Sequence, residues 1–151
     1  MPKVVVFGWH VEALNKIVTA FRGGPYRRLH LRERAVLVTG AARTTERADM
    51  VRRFQADPAV KVFVGQIQAA GTAITLTASN RVVMHEMAWT PALNLQAMKR
   101  CHRIGTKSAV IADVLSVDGS LDHAVNAILT RKTADINMLE QNDAASTTED
   151  A

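Results

Sequence analysis

The sequence predicts an α/β fold with a mostly parallel central sheet of about five or six strands and helices on both faces. Three observations predict it. Short apolar runs alternate with amphipathic stretches from Lys3 almost to the end of the chain. The runs are continuous rather than alternating, as Val4-Val5-Val6-Phe7 and Ala35-Val36-Leu37-Val38 show, which is the pattern of strands buried on both faces. Apolar residues make up 48% and aromatic ones only 5%, so Val, Leu, Ile and Ala must fill the interior.

In chain order, Lys3 to Phe7 reads as the first strand, and Val11, Leu14, Val18 and Phe21 follow at helical spacing until Gly23-Gly24-Pro25 stops the helix. Ala35 to Thr39 is a second strand, ended by Gly40. Thr44 or Thr45 is expected to cap the next helix, with Glu46 suited to its first turn and Met50, Val51 and Phe54 on its apolar side. Val60 to Val64 and Arg81 to His85 give the third and fourth strands. Thr90-Pro91 opens a further helix with a cap residue followed by proline at the first helical position. Ala109 to Val117 is a fifth strand. Gly119-Ser120 breaks and caps, and Leu121, Val125, Ile128 and Leu129 are expected on the inner side of a last helix. One domain, 1–136, accounts for this pattern, and 137–151 is a small, polar tail expected to be disordered.

Composition narrows the function. Nineteen Lys and Arg against fourteen Asp and Glu leave a charge of +5, which suits an anionic partner. No apolar run approaches the roughly 18 residues of a membrane span, so no membrane partner is expected. One cysteine, Cys101, cannot close an internal disulfide, and the expected compartment is a reducing cytoplasm. Five scattered histidines and a single cysteine offer no metal-ligand spacing, so no metal site is expected.

Four stretches carry candidate chemistry. In QAMKRCHRIG, Gln96, Arg100 and Arg103 are spaced four and then three apart, which on a helix stacks them on one face. Either this is a solvated basic face, or the guanidinium forks meet an anion between them. Leu95, Met98 and His102 are expected on the side packed against the sheet. In GQIQAAGTAITLTAS, Gly71 and the hydroxyls of Thr72, Thr75, Thr77 and Ser79 suit a backbone cradle for phosphate, or else an ordinary strand-to-helix turn. In HEMAWTP, Glu86 ends a strand, and Trp89 is either a core anchor or a contact for DNA or a partner. In YRRLHLRER, Arg27, Arg28 and Arg32 form a basic cluster that either is solvated or tracks phosphates. Neither GxxxxGK[ST] nor GxGxxG occurs.

In order, these segments resemble the second RecA-like lobe of superfamily 2 helicases, specifically the SWI/SNF-type DNA translocases and their annealing-helicase branch. VVVFGWHVEAL resembles motif IV, AAGTAITLTASNRVV motif V, EMAWTP the acid-tryptophan-proline stretch, QAMKRCHRIGT motif VI, and DVLSVDGSLDHAVNAILTRK the closing strand and helix. The resemblance implies a three-layer RecA-like domain. It implies that Arg103 is the arginine finger on the γ-phosphate of ATP, with Arg100 its companion and Gln96 positioning both. Gly71, Thr72 and Thr75 would couple that cleft to DNA, while Trp89, Arg27, Arg28 and Arg32 would contact DNA or the first lobe.

The family usually has glycine where Ala73 stands and glutamine where Thr106 stands. The Walker groups that hold phosphates and magnesium belong to a first lobe, and no Walker A sequence lies in these 151 residues. The expectation is therefore a half-enzyme that is inactive alone. It would use ATP and Mg only with a separate first-lobe polypeptide and would bind DNA through its phosphates. Its expected place is the cytoplasm, nucleoid-associated, or the host cytoplasm if viral. The alternative is a non-catalytic DNA-binding or protein-docking adaptor or inhibitor.

Overall fold

A computed structural model describes residues 2–23, 35–70, 74–102, 109–120, 123, 126–129 and 131. Five strands, β1 (Val4–Gly8), β2 (Ala35–Val38), β3 (Val62–Gln66), β4 (Arg81–Met84) and β5 (Ile111–Val114), form one sheet in the order β2-β3-β1-β4-β5. Every neighbouring pair is parallel, with Val4 opposite Val62, Ala35 opposite Val62, Val5 opposite Val82 and Arg81 opposite Ile111. All five strands therefore begin at one edge of the sheet and end at the other. Parallel neighbours need crossovers, here α1 (Val11–Gly23), α2 (Thr44–Ala56), the short α3 (Ile67–Ala70) and α4 (Pro91–Met98).

The step from β1 to β2 runs one way across the sheet and every later step runs the other way. Right-handed crossovers then require α1 on one face and the other helices opposite. The two cores show this division. Leu14 and Val18 of α1 pack with Val6, Val62, Val64 and Ala35, while Phe54 of α2 and Ala97 of α4 join Val5, Phe7, Val36, Val38, Phe63 and Met84. Alternate residues of β1, β2 and β3 thus feed opposite cores, which is why the sequence shows unbroken apolar runs. Phe54 meets Phe63 edge-on at 5.5 Å between ring centres, and truncating such a ring costs roughly 3–5 kcal/mol.

Several boundaries differ from expectation. β3 begins at Val62 and runs to Gln66; Val60 is buried just before it, its N–H bonded to the Asp57 carbonyl at 3.2 Å. β5 is shorter than expected and largely exposed, because among the described residues it is an edge strand with β4 as its one neighbour. An Arg81–Asp113 ion pair of 2.7 Å ties those two strands together. Val11 is exposed at the start of α1. The cap of α2 is Arg43, not a threonine: the Glu46 carboxylate reaches back to accept the Arg43 N–H at 3.0 Å, so Thr44 is already helical. At the far end of α2, Lys3 Nζ donates to the carbonyls of Phe54 and Asp57, a cation at the negative helix terminus.

Gly119 takes a φ of 73°, which favours glycine, and Ser120 Oγ accepts the His123 N–H at 3.3 Å as expected of a cap. In the last helix Leu129 is buried but Ile128 is exposed, a correction to its expected inward placement. Leu121, Val125 and the tail 137–151 lie outside the described residues, as does the basic cluster of Arg27, Arg28 and Arg32. No helix among the described residues is long and apolar enough to cross a membrane.

Candidate functional site

Because α4 starts beyond the end of β4 and returns to the beginning of β5, it carries its residues from the carboxyl edge of the sheet to the amino edge. Gln96 is exposed on its outer side. The regular helix ends at Met98. The Lys99 N–H still bonds to Leu95 at 2.9 Å, but the Arg100 and Cys101 N–H groups bond three residues back, to Ala97 and Met98, at 3.1 and 3.2 Å. The expected helix therefore gives way to a tightened turn at residues 100 and 101. Arg100 is half-buried in that turn with its Nε enclosed, and its carbonyl accepts the Leu76 N–H at 2.9 Å. Arg103 lies outside the described residues.

The inner face of this segment also differs from expectation. Leu95 is 50% exposed and His102 is exposed, while Asn94, Ala97 and Cys101 are buried. Met98 packs against the core as expected, together with Leu93. Burial pushes the Cys101 thiol up to about 12, which keeps it protonated and unreactive.

The segment resembling motif V runs beside this turn. Ile74 and Leu76 are buried and Thr75 is half-buried; Gly71 and Thr72 lie outside the described residues. Gln55, from the last turn of α2, spans the segment. Its Nε2 donates to the Thr75 carbonyl at 2.8 Å and its Oε1 accepts the Ala78 N–H at 2.8 Å, with the Thr77 hydroxyl at 3.4 Å from Nε2. Two of the expected phosphate-facing hydroxyls are thus used internally. Thr77 faces Gln55, and Ser79 is buried, donating to the Lys3 carbonyl at 2.8 Å and accepting the Arg81 N–H at 3.1 Å.

The carboxyl edge holds a second polar cluster. Glu86 Oε2 accepts the N–H groups of Trp9 and His10 at 3.0 and 2.9 Å, and Oε1 meets His10 Nδ1 at 3.0 Å. A carboxylate here satisfies amides at the turn leading into α1, where the helix dipole favours negative charge. Burial alone would raise the Glu86 pKa; the His10 and Trp9 hydrogen bonds outweigh it and hold the carboxyl below its ordinary value. Gly8 permits the approach, since a Cβ there would lie 2.8 Å from Leu14 Cδ2 and 3.3 Å from Glu86 Oε2. Gln66 extends the cluster, accepting the Gly40 N–H at 2.9 Å and donating to the Trp9 carbonyl at 3.3 Å.

Trp89 is 61% exposed, which separates it from the core-anchor alternative. Asn94 fixes the loop beneath it: Asn94 Oδ1 accepts the Ala88 N–H at 2.8 Å and Nδ2 donates to the Ala88 carbonyl at 2.9 Å. Sequence reasoning missed Asn94, Gln55 and Gln66. A polar residue in phase with Ala97 and Cys101 was a signal for Asn94; Gln55 and Gln66 bond to backbone atoms and left none.

The structure thus joins Thr75, Leu76 and Arg100 at the amino edge, with Gln96 on the same helix, and keeps Trp89 apart at the carboxyl edge. Guanidinium and amide donors at one edge suit phosphate oxygens. No group of three His, Cys, Asp or Glu among the described residues has the arrangement to hold a metal ion.

A family model for the helicase conserved C-terminal domain matches residues 1–105. The DNA annealing helicase and endonuclease ZRANB3 of Mus musculus is 35% identical over 130 residues, covering 86% of this chain and 12% of that protein. The chromatin-remodeling ATPase INO80 of Arabidopsis thaliana is 34% identical over 110 residues, covering 72% of this chain and 7% of that protein. The chain therefore spans only a small part of the length of these relatives. The crystal structure of the C-terminal part of the Fun30 ATPase domain matches with a TM-score of 0.75 at 20% identity, over 85% of this chain and 39% of that one, and shares the fold. The chain belongs to the helicase conserved C-terminal domain family, among the RecA-like lobes of SWI/SNF-type ATPases.

Proposed function

We propose that this lobe is the second half of a SWI/SNF-type ATP-dependent DNA translocase, completed by a first RecA-like lobe on a separate polypeptide. The observation that carries this reading is the Leu76-to-Arg100 backbone hydrogen bond, which fastens the motif V segment to the motif VI turn. A shift at one is thereby passed to the other, as coupling between nucleotide and DNA requires. The Walker groups must come from outside these 151 residues, where no GxxxxGK[ST] occurs.

In this reading Arg103 and Arg100 meet charge on the γ-phosphate and Gln96 orients them. ATP, bound with Mg by the first lobe, supplies the phosphoryl group that passes to water. Gly71, Thr72 and Thr75 couple the cleft to DNA; Trp89, Arg27, Arg28 and Arg32 contact the DNA backbone or the first lobe without reading sequence. An exposed indole on a loop fixed by Asn94 supports a contact role, since ordering it costs little further entropy.

The test is phosphate release from ATP by this chain mixed with DNA and a first-lobe polypeptide encoded in the same genome. Activity is expected in the mixture and in neither part alone, and Arg103→Ala should lower it by roughly 10³-fold or more. Release by the chain alone, or a mixture in which Arg103→Ala is as active as the wild type, would overturn the proposal. A mixture that binds DNA with a steep salt dependence yet releases no phosphate would favour the adaptor instead.

A further inference from the structure

We infer that Gln55 is a positioning residue for Arg100, acting through residues 75–78. The inference rests on the proposed ATP cleft for its consequence, but not for its geometry. Both ends of the Gln55 amide are engaged by one four-residue stretch, at the Thr75 carbonyl and the Ala78 N–H, each at 2.8 Å. Between those two anchors, the Leu76 N–H points the other way and holds the Arg100 carbonyl at 2.9 Å. Residues 75–78 are therefore clamped between the end of α2 and the turn after α4. Leu76 is fully buried, which prevents the stretch from sliding along the core.

The Arg100 turn is tighter than the helix it follows. Its own N–H and that of Cys101 make three-residue turns, a poorer geometry than the α-helix they replace. α2 is in turn pinned at the same end by Lys3, which donates to the Phe54 and Asp57 carbonyls on either side of Gln55. A rigid post thus stands behind the stretch that holds Arg100. Glutamine suits this task because donor and acceptor sit on one planar group; glutamate keeps the acceptor and loses the donor, and methionine keeps the length and loses both.

Hydrogen exchange followed by NMR on Gln55→Met and Gln55→Glu tests this without any nucleotide. Exchange at the Leu76 amide and at Arg100 Nε–H should quicken roughly ten- to a hundredfold in Gln55→Met and by less in Gln55→Glu, while the amides of Val6 and Val64 keep their rates. Thr77→Val, which removes only the 3.4 Å contact, should leave all four sites unchanged. Unchanged exchange at Leu76 and Arg100, or an equal gain at Val6 and Val64, would overturn the positioning role. Should Gln55→Met fail to fold, Gln55→Glu decides by the same two sites. In the reconstituted ATPase the variants should lose kcat with KM kept. If wild-type mixtures release no phosphate, the ATP reading falls while the exchange result still decides the role of Gln55.

Discussion

The two edges of the sheet treat polar groups in opposite ways. At the carboxyl edge, Glu86 and Gln66 turn inward and spend their hydrogen-bonding capacity on strand-end amides and carbonyls, and what faces outward is the apolar ring of Trp89. At the amino edge, the backbone is the part held, by Gln55 and by the Leu76–Arg100 bond, and Gln96 faces outward from the adjoining helix. The lesson is that an acid in a motif-like stretch is not thereby a chemical group. Glu86 has two amides and an imidazole to satisfy, so it is structural. At the other edge the proposed phosphate contacts would be presented from a fixed backbone.

That contrast predicts a ranking of mutational effects. Glu86→Ala should be the most harmful to stability, by about 2–3 kcal/mol, because two amides at the start of α1 lose a charged acceptor. Chemical denaturation checks it; a loss below that of an ordinary surface change would show the carboxyl edge is not closed on itself. The same group sets an acid limit. Its folded pKa lies below the ordinary 4.5, so its contribution is whole at neutral pH and declines as pH falls through that value. It is gone below the depressed folded value, and Glu86→Gln should flatten the acid side of the stability profile.

Asn94→Ala comes next, at about 2 kcal/mol, since it strands both polar groups of the buried Ala88. Its sharper readout is Trp89, whose fluorescence anisotropy should fall while the core remains intact. An unchanged anisotropy would mean the loop is fixed by something other than Asn94. Gln96→Ala should change stability least, within about 0.5 kcal/mol, as expected of an exposed helix position. In the reconstituted ATPase it should nonetheless lower kcat. A large stability loss there would move Gln96 to the structural side of the comparison.

The inner strands were legible in the sequence because they bury both faces, and unbroken runs such as Val4 to Phe7 follow from that directly. The Thr90-Pro91 helix start was legible because proline at the first helical position is a local signal, although the Thr90 side chain makes no cap hydrogen bond. The end of α4 was not. Spacing carried the helix on to Arg103, whereas a backbone bond from Leu76, far away in sequence, holds the Arg100 carbonyl in a tighter turn. The inward side of α4 was legible only in part: Met98 packs on the core as expected, whereas Ala97 and Cys101 are buried and Leu95 faces water. Glu86 was noticed, but two of its three partners are the main-chain N–H groups of Trp9 and His10, which any residue would supply, and the third, the His10 ring, lies far away in sequence.

The most direct test of the whole account is binding of ADP with aluminium fluoride and Mg, a mimic of phosphate in transfer, to the chain mixed with its first-lobe polypeptide. An arginine finger acts on charge that exists only during transfer. The mixture should therefore bind the mimic at least about 10²-fold more tightly than ADP alone, and Arg103→Ala should remove that gain while leaving ADP binding as it was. A gain of equal size in Arg103→Ala and Arg100→Ala would contradict the account, as would tight binding of the mimic by this chain with no first lobe present.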